Sequence, residues 1–470
     1  MGHNVTVRKG RPLNLFMARQ KQRTEMLQKM GNQIFLNPPL FLLLGFAAII
    51  LLGSIFLSLP FVTQSGHSIG YLNALFTAAS ASCVTGLTVV NTAKTFNFAG
   101  KLIILILIQI GGLGIMTFAT LIPMIIGQKN GLVTRQILKE QLNVESLTGI
   151  VRLLRYVLTF TFIVEGIGVI LLGIRFIPIF GLKKGTWYAI FHSISAFCNA
   201  GFDVMGDSIY PLRDDILINV TLMALVIIGG LGFFVTQEII RKRKFKLLST
   251  HAKIVLLMSG ILILVGALGF LVLEFNNPLT LAQEKTHVKI TQSFFQSVVA
   301  RTAGFYSVPI PALRDSTAFL LILLMFIGGS PGSTAGGLKT TTFGVLIITT
   351  ISTLKGQAEP GIFNKHIPIR TIRKALSLVV VSIGLISLIT FILTMTEKDS
   401  FINLLFETVA AYGTVGTSRG ITPSLTPIGK LLIIIMMYSG RLGPLTLGMA
   451  ISNRVSPSHI RYPEANITIG

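Results

Sequence analysis

Long apolar runs alternate with polar gaps along this chain. Runs near 40–60, 102–126, 156–177, 216–236, 254–274, 317–350, 376–396 and 428–450 are each long enough, or nearly so, to carry a helix across a hydrocarbon core, which takes roughly 20 residues. The sixth is interrupted by a stretch rich in glycine, serine and threonine. Between the members of successive pairs lie shorter apolar segments, such as 73–82 and 402–411, which cannot span. If the flanking helices are antiparallel, both ends of each short segment return to the same face. Such re-entrant backbone is tolerated at membrane depth only where protein buries it or water reaches it. The pattern predicts an all-α integral membrane protein with eight spans and four re-entrant half-helices, most economically arranged around one central pore.

The short segments repeat one another. Phe76-TAASASCVT-Gly86, Phe191-HSISAFCNA-Gly201, Phe294-FQSVVARTA-Gly304 and Phe406-ETVAAYGTV-Gly416 each place nine residues between a phenylalanine and a glycine. A single such match carries nothing; four in the same hydropathy context mark an internal repeat. The following run carries a second echo: Gly111-Gly112-Leu113-Gly114, Gly229-Gly230-Leu231-Gly232, Gly328-Gly329-Ser330-Pro331 and Gly440-Arg441-Leu442-Gly443. The organisation expected is a basic tail (1–38), four units (39–130, 150–245, 250–355 and 370–455) and a C-terminal tail (456–470). Each unit contains two full spans, so the copies run parallel and the arrangement is pseudo-fourfold. Inverted repeats require an odd number of spans.

Composition agrees with the bilayer. Of 470 residues, 51% are hydrophobic and 12% charged, and the mean hydropathy is +0.74. The net charge of +23 first suggests nucleic acid, but its distribution excludes that reading. Gaps assigned to one side (1–38, 127–155, 237–253, 351–374, 452–470) hold 25 Lys and Arg against 6 Asp and Glu; the other side holds 11 against 9. Such asymmetry places both termini in the cytoplasm, with the excess also attracting anionic lipid. The first 35 residues lack an apolar stretch, so the first span is expected to serve as its own insertion signal. Cys83 and Cys198 show no metal-ligand spacing and read as small buried residues.

The loops ending the half-helices suggest cation chemistry. They are Val84-Thr85-Gly86, Asn199-Ala200-Gly201, Thr302-Ala303-Gly304 and Thr414-Val415-Gly416. Each half-helix would aim its partially negative end at the membrane centre. Glycine lets successive carbonyls turn toward one axis, and carbonyl rings can replace a cation's hydration shell. No acidic residue lies in the triplets, which suits a monovalent ion. The alternative is that these glycines merely permit close helix packing.

Two features suggest control of flux. The sixth run is broken at Gly328-Gly329-Ser330-Pro331-Gly332-Ser333-Thr334-Ala335-Gly336-Gly337, where the freed backbone groups would line a cavity below the loops. Arg441, inside the last run, is costly in hydrocarbon and should face the interior, where we expect it to bond carbonyls of the broken segment. Lys339 is expected to snorkel toward the cytoplasm, Glu407 to stabilise the start of the fourth half-helix, and Arg301 to anchor its loop from behind. Glu165 has no evident role, and His192 shows no ligand spacing.

With the four Phe-x9-Gly loops, the eight spans and Gly328-GSPGSTAGG-Leu338, the chain resembles the Trk/Ktr/HKT potassium transporter superfamily over residues 38–455, specifically its KtrB-type membrane subunit. That resemblance implies four M1-P-M2 units, the loop glycines in a K+ selectivity filter, and the broken segment as an intramembrane gate. A glycine at Gly86 goes with K+ preference there. It further implies a homodimer on a cytoplasmic KtrA-type ring that binds ATP or ADP, Na+ as an activator, and a bacterial cell membrane as the location. The chain departs from the filter pattern TVGYG in every unit, sharing only the glycine. A Na+-coupled K+ symporter is the alternative. A membrane-embedded protease is disfavoured, because Glu165 and Glu407 lack partner motifs; no enzyme activity is expected.

Overall fold

A computed structural model describes residues 38–114, 150–357 and 359–443. The first unit is α1 (Pro38–Ser58), α2 (Tyr71–Ser82) and α3 (Phe98–Leu113). The second is α4 (Ile150–Phe180), α5 (Leu182–Phe197), α6 (Ile216–Gly230) and α7 (Phe233–Lys242). The third is α8 (Thr250–Glu274), α9 (Thr286–Val299), α10 (Asp315–Phe326) and α11 (Thr340–Leu354). The fourth is α12 (Ile369–Thr396), α13 (Phe401–Tyr412) and α14 (Pro427–Leu442). A hairpin of β1 (Gly361–Ile362) and β2 (Lys365–His366) joins the last two units, turning at Phe363 and Asn364, both at positive φ, as a two-residue hairpin turn requires. The expected basic tail before Pro38, the run beyond Gly114 and everything after Gly443 lie outside the described residues.

Four helices, α1, α4, α8 and α12, are long and apolar enough to cross a membrane; α6 and α7 make a fifth if the pair counts as one span. The expected span over 216–236 is not one continuous helix. The chain bends by 101° between Gly230 and Phe233. Gly232 takes φ +93, and Phe233 N–H donates to the Gly332 carbonyl (2.9 Å) in place of an intrahelical acceptor. The interrupted sixth run is found as expected, with α10 ending at Phe326 and α11 starting at Thr340.

Polar residues set the helix starts. Asn97, Asp215 and Thr426 each accept a backbone N–H of the first turn of α3, α6 and α14 (3.1–3.2 Å), satisfying one orphan donor. The start of α10 uses a borrowed cap. Glu274, at the end of α8, accepts from Arg314 N–H (3.0 Å) and the Thr317 hydroxyl (2.5 Å).

The core lies around the short helices. In α2, the run from Phe76 to Ser82 is wholly buried; Phe191 and Phe406 are fully buried, while Phe294 is half-buried. Long helices instead turn apolar side chains outward, among them Leu52, Phe162, Ile170 and Val272, as lipid-facing helices do. Between units, α3 packs on α5, α6 on α9, α10 on α13, and α14 on α2. The last contact closes a ring.

Candidate ion pathway

Each short helix ends with the same backbone device. The first residue of its loop triplet, Val84, Asn199, Thr302 or Thr414, has a positive φ between 52° and 78°. Each following glycine, Gly86, Gly201, Gly304 or Gly416, is also positive, between 67° and 94°, and the residue between them is not. This is a left-handed helix cap, with residues other than glycine in the left-handed position. β-Branched Val84, Thr302 and Thr414 are rarely found there, at a cost of roughly 1–3 kcal/mol each. Alternating the hand of φ points successive carbonyl oxygens to one side. Helical closure holds the turn: Thr85, Ala200 and Val415 N–H groups donate to Ser80, Ser195 and Ala410 carbonyls (2.7–2.8 Å), whereas Ala303 N–H reaches Val299 (2.9 Å).

The four loops meet. A methyl group on Gly86 would lie 2.5 Å from the Ala200 carbonyl oxygen, and one on Gly201 would lie 2.8 Å from that of Ala303. On Gly304 it would strike the Val415 oxygen, and on Gly416 the Thr85 oxygen. Each glycine thus sits against the carbonyl of the next unit, in the order 86, 201, 304, 416 and back to 86. A side chain at any of them would have to displace the backbone of a neighbouring loop. All four glycines also line one open cavity of about 590 Å³, with Asp203, Asp207, Ser208 and Tyr306 on its walls. Burial alone would raise the Asp203 carboxyl. Its hydrogen bonds with His192 and with the Met205 and Gly206 N–H groups outweigh that and hold it below the ordinary carboxylate range. Burial, then the charges of Asp203 and Asp207, push the Tyr306 phenol up to about 12. The vestibule field is negative.

The second set of glycines serves close approach. A methyl on Gly111, Gly229 or Gly440 would collide with the carbonyl oxygen of Ser82, Phe197 or Tyr412, the ends of α2, α5 and α13. In the third unit the equivalent Gly328 faces Gly336 across the broken segment.

That segment lies under the loops. Ser330 N–H donates to Gly230 (3.0 Å), Thr334 N–H to Gly229 (3.2 Å), and Gly337 N–H to Gly440 (3.3 Å). The Thr334 hydroxyl donates to the Phe197 carbonyl (3.0 Å), where α5 ends. A side chain on Gly336 would meet Thr414 of the fourth loop. Arg441 donates to the carbonyls of Thr334, Gly111 and Gly112, the last at 3.0 Å. Pro331, Gly332 and Ser333 are half-exposed at its turn, and Gly329 and Ala335 are buried against each other.

Two further residues, Lys339 and Glu407, differ from expectation. Lys339 does not snorkel; its Nζ folds back on the Ala335 carbonyl (2.7 Å). Glu407 is not at a helix start, since α13 begins at Phe401; it accepts from the hydroxyls of Ser418 (2.8 Å) and Thr422. Arg301 points behind its loop, its nearest acceptors being Ser259 (3.3 Å) and the Gly328 carbonyl (3.5 Å). Glu165 receives Gln109 Nε2 (3.1 Å) behind Cys198. Both cysteines are buried and free. Sequence reasoning missed His192, whose ring joins Asp203 (2.9 Å). Its one available signal was register: it stands nine residues before a loop glycine, as Glu407 does.

Comparison with known proteins bears on this arrangement. Residues 47–459 match the family model described as "TrkH: Cation transport protein". The chain is 41% identical over 442 residues to the potassium/sodium uptake protein NtpJ of Enterococcus hirae, covering 93% of this chain and 98% of that one. It is 41% identical over 434 residues to the Ktr system potassium uptake protein B of Bacillus subtilis, covering 92% and 97%. Among solved structures, the potassium transporter TrkH from Vibrio parahaemolyticus superposes with a TM-score of 0.70 over 88% of this chain and 84% of that one. At 19% identity, that likeness speaks to the fold alone. The chain is a membrane cation transporter of the Ktr and Trk type, and it belongs to the TrkH family.

Proposed function

We propose that this chain takes up K+ across a bacterial cell membrane through the ring of loop carbonyls. In this reading Val84-Thr85-Gly86, Asn199-Ala200-Gly201, Thr302-Ala303-Gly304 and Thr414-Val415-Gly416 form the selectivity filter, and four parallel units supply eight spans in pseudo-fourfold order. The observation that carries it is the head-to-tail contact of the four glycines with their neighbours' carbonyls. Uncharged oxygens around one axis can stand in for the water around a monovalent ion, and the triplets hold no carboxylate. The negative vestibule concentrates cations at its mouth. Charge asymmetry puts the vestibule outside and both termini in the cytoplasm.

The segment 328–337 with Arg441 is the gate. Its support is that it packs against the ends of α5, α6 and α14 beside the fourth loop, and that its Thr334 carbonyl accepts from the Arg441 guanidinium. A positive charge beside the path, on a device that hydrogen bonds can release, resists cation passage until it moves. Control falls to a cytoplasmic KtrA-type ring binding ATP or ADP beneath a homodimer of this chain, as the likeness to a Ktr system protein suggests. A second reading, a Na+-coupled K+ symporter, draws on the relative named for both potassium and sodium uptake. Ohmic single-channel currents would exclude it; uptake that stops without Na+ would favour it.

Gly86→Ser tests the filter. Its side chain would enter the ring beside the Ala200 oxygen. The expected result is loss of K+ preference over Na+ in a K+-uptake-deficient host. Unaltered preference removes the assignment.

A further inference from the structure

The loops are braced unequally from behind. Counted from each loop glycine, the ninth residue before it is Thr77, His192, Phe295 or Glu407, and the second after it is Thr88, Asp203, Tyr306 or Ser418. In the second unit these positions bond directly, His192 Nε2 to Asp203 Oδ1 at 2.9 Å. His192 Nδ1 faces the Tyr188 carbonyl (2.8 Å), so it carries a hydrogen. Asp203 also accepts the N–H groups of Met205 (2.8 Å), Gly206 (2.6 Å) and Ser208 (3.1 Å), as an ionised carboxylate would. The other ring nitrogen, Nε2, faces the carboxylate. In the fourth unit Glu407 takes the hydroxyls of Ser418 (2.8 Å) and Thr422. His192 and Glu407 are fully buried.

The other two units lack this. In the third, Phe295 and Tyr306 occupy the positions, and only Gln296 reaches Ser307, at 3.3 Å and one residue out of register. In the first, the Thr77 hydroxyl turns to its own helix, at the Asn73 carbonyl (2.8 Å), and the loop's tie is a neutral one, from Gly86 N–H to the Ser80 hydroxyl (3.0 Å). Around the ring the loops tied through an acidic side chain, second and fourth, stand opposite each other, and so do the two tied only through neutral groups.

We propose that His192–Asp203 and Glu407–Ser418 are struts that fix the carbonyl ring along one diagonal and so set its discrimination against ions smaller than K+. None of these side chains need touch the ion; they are positioning residues. A smaller cation requires the oxygens to move inward. A loop tied to its own half-helix through a buried acid resists that movement more than one tied only through hydroxyl or amide groups, since a bond to an ionised carboxylate is roughly twice as strong as a neutral one. The inference rests on the filter reading above.

The test is Na+ competition against K+ uptake in proteoliposomes holding equal amounts of folded protein. Glu407→Leu and Asp203→Leu are expected to lower K+ preference about tenfold, the factor one charge-assisted hydrogen bond carries. Glu407→Gln, which keeps an acceptor, should retain most of it. Gln296→Leu, in a unit with only a neutral tie, should shift it less than about twofold. If Glu407→Leu fails to fold, the milder Ser418→Ala with Thr422→Val removes the same strut. Normal preference in folded strut variants, or an equal loss in Gln296→Leu, overturns the proposal. Gly86→Ser in the same assay separates the cases: if it alters preference while the strut variants do not, the struts fall and the filter stands. If it leaves preference unchanged, the filter reading falls first.

Discussion

Arg441 joins two elements far apart in sequence, the broken segment through Thr334 and the end of α3 through Gly111 and Gly112. Hydrogen bonds to a charged group contribute about 1.5–3 kcal/mol each. Losing even one at the weaker end shifts an open–closed equilibrium roughly tenfold. Arg441→Ala is therefore expected to raise K+ flux by about that factor, measured as initial uptake at equal expression; unchanged flux would remove Arg441 from the gate. Lysine should not substitute well, since a compact ammonium cannot present a planar fork to carbonyls on two elements. Hydropathy places Arg441 inside the bundle, but its partners lie 107 and about 330 residues away in sequence, a distance no local pattern reports.

Among the helices, glycine marks contact more than flexibility. Gly440 in α14 has the Tyr412 carbonyl where a methyl would go, and carbonyl oxygen cannot swing aside as a flexible side chain can. Gly384 in α12 has nothing within 4 Å. Gly440→Ala should lower the melting temperature in detergent, an overpacking cost of about 1–3 kcal/mol. Gly384→Ala should leave it unchanged or raise it, by up to about 1 kcal/mol of helix preference. Equal effects at the two sites would contradict this account of the second glycine set. At this scale the hydropathy pattern and the Phe-x9-Gly register already announce the long helices, the half-helices and the loops. They do not announce the 101° bend after Gly230, because apolar residues continue through Leu231, Phe233 and Val235 while the backbone turns. Nor do they reveal the roles of Glu407 and His192. A carboxylate near an apolar segment reads as a helix-start charge until the start is seen at Phe401. The His192–Asp203 bond exists only because the chain doubles back past its own half-helix.

The whole molecule presents a field as well as a path. Asp207 is exposed on the vestibule wall and has no ion-pair partner among the described residues. Its charge should act at a distance. Asp207→Asn is expected to raise the K+ concentration for half-maximal uptake at low ionic strength, and the difference should vanish near 1 M of an impermeant salt, where screening falls to about 3 Å. A difference that persists at high salt would mean a short-range role instead. The circular packing has a consequence of another kind. Because α14 rests on α2 and the Gly416 loop abuts Thr85, the ring is sealed by joining the first unit to the fourth. A product lacking the fourth unit has three walls and an open side. Enclosure is therefore a property of the four units together, and leaving out any one of them breaks the succession of glycine against neighbouring carbonyl.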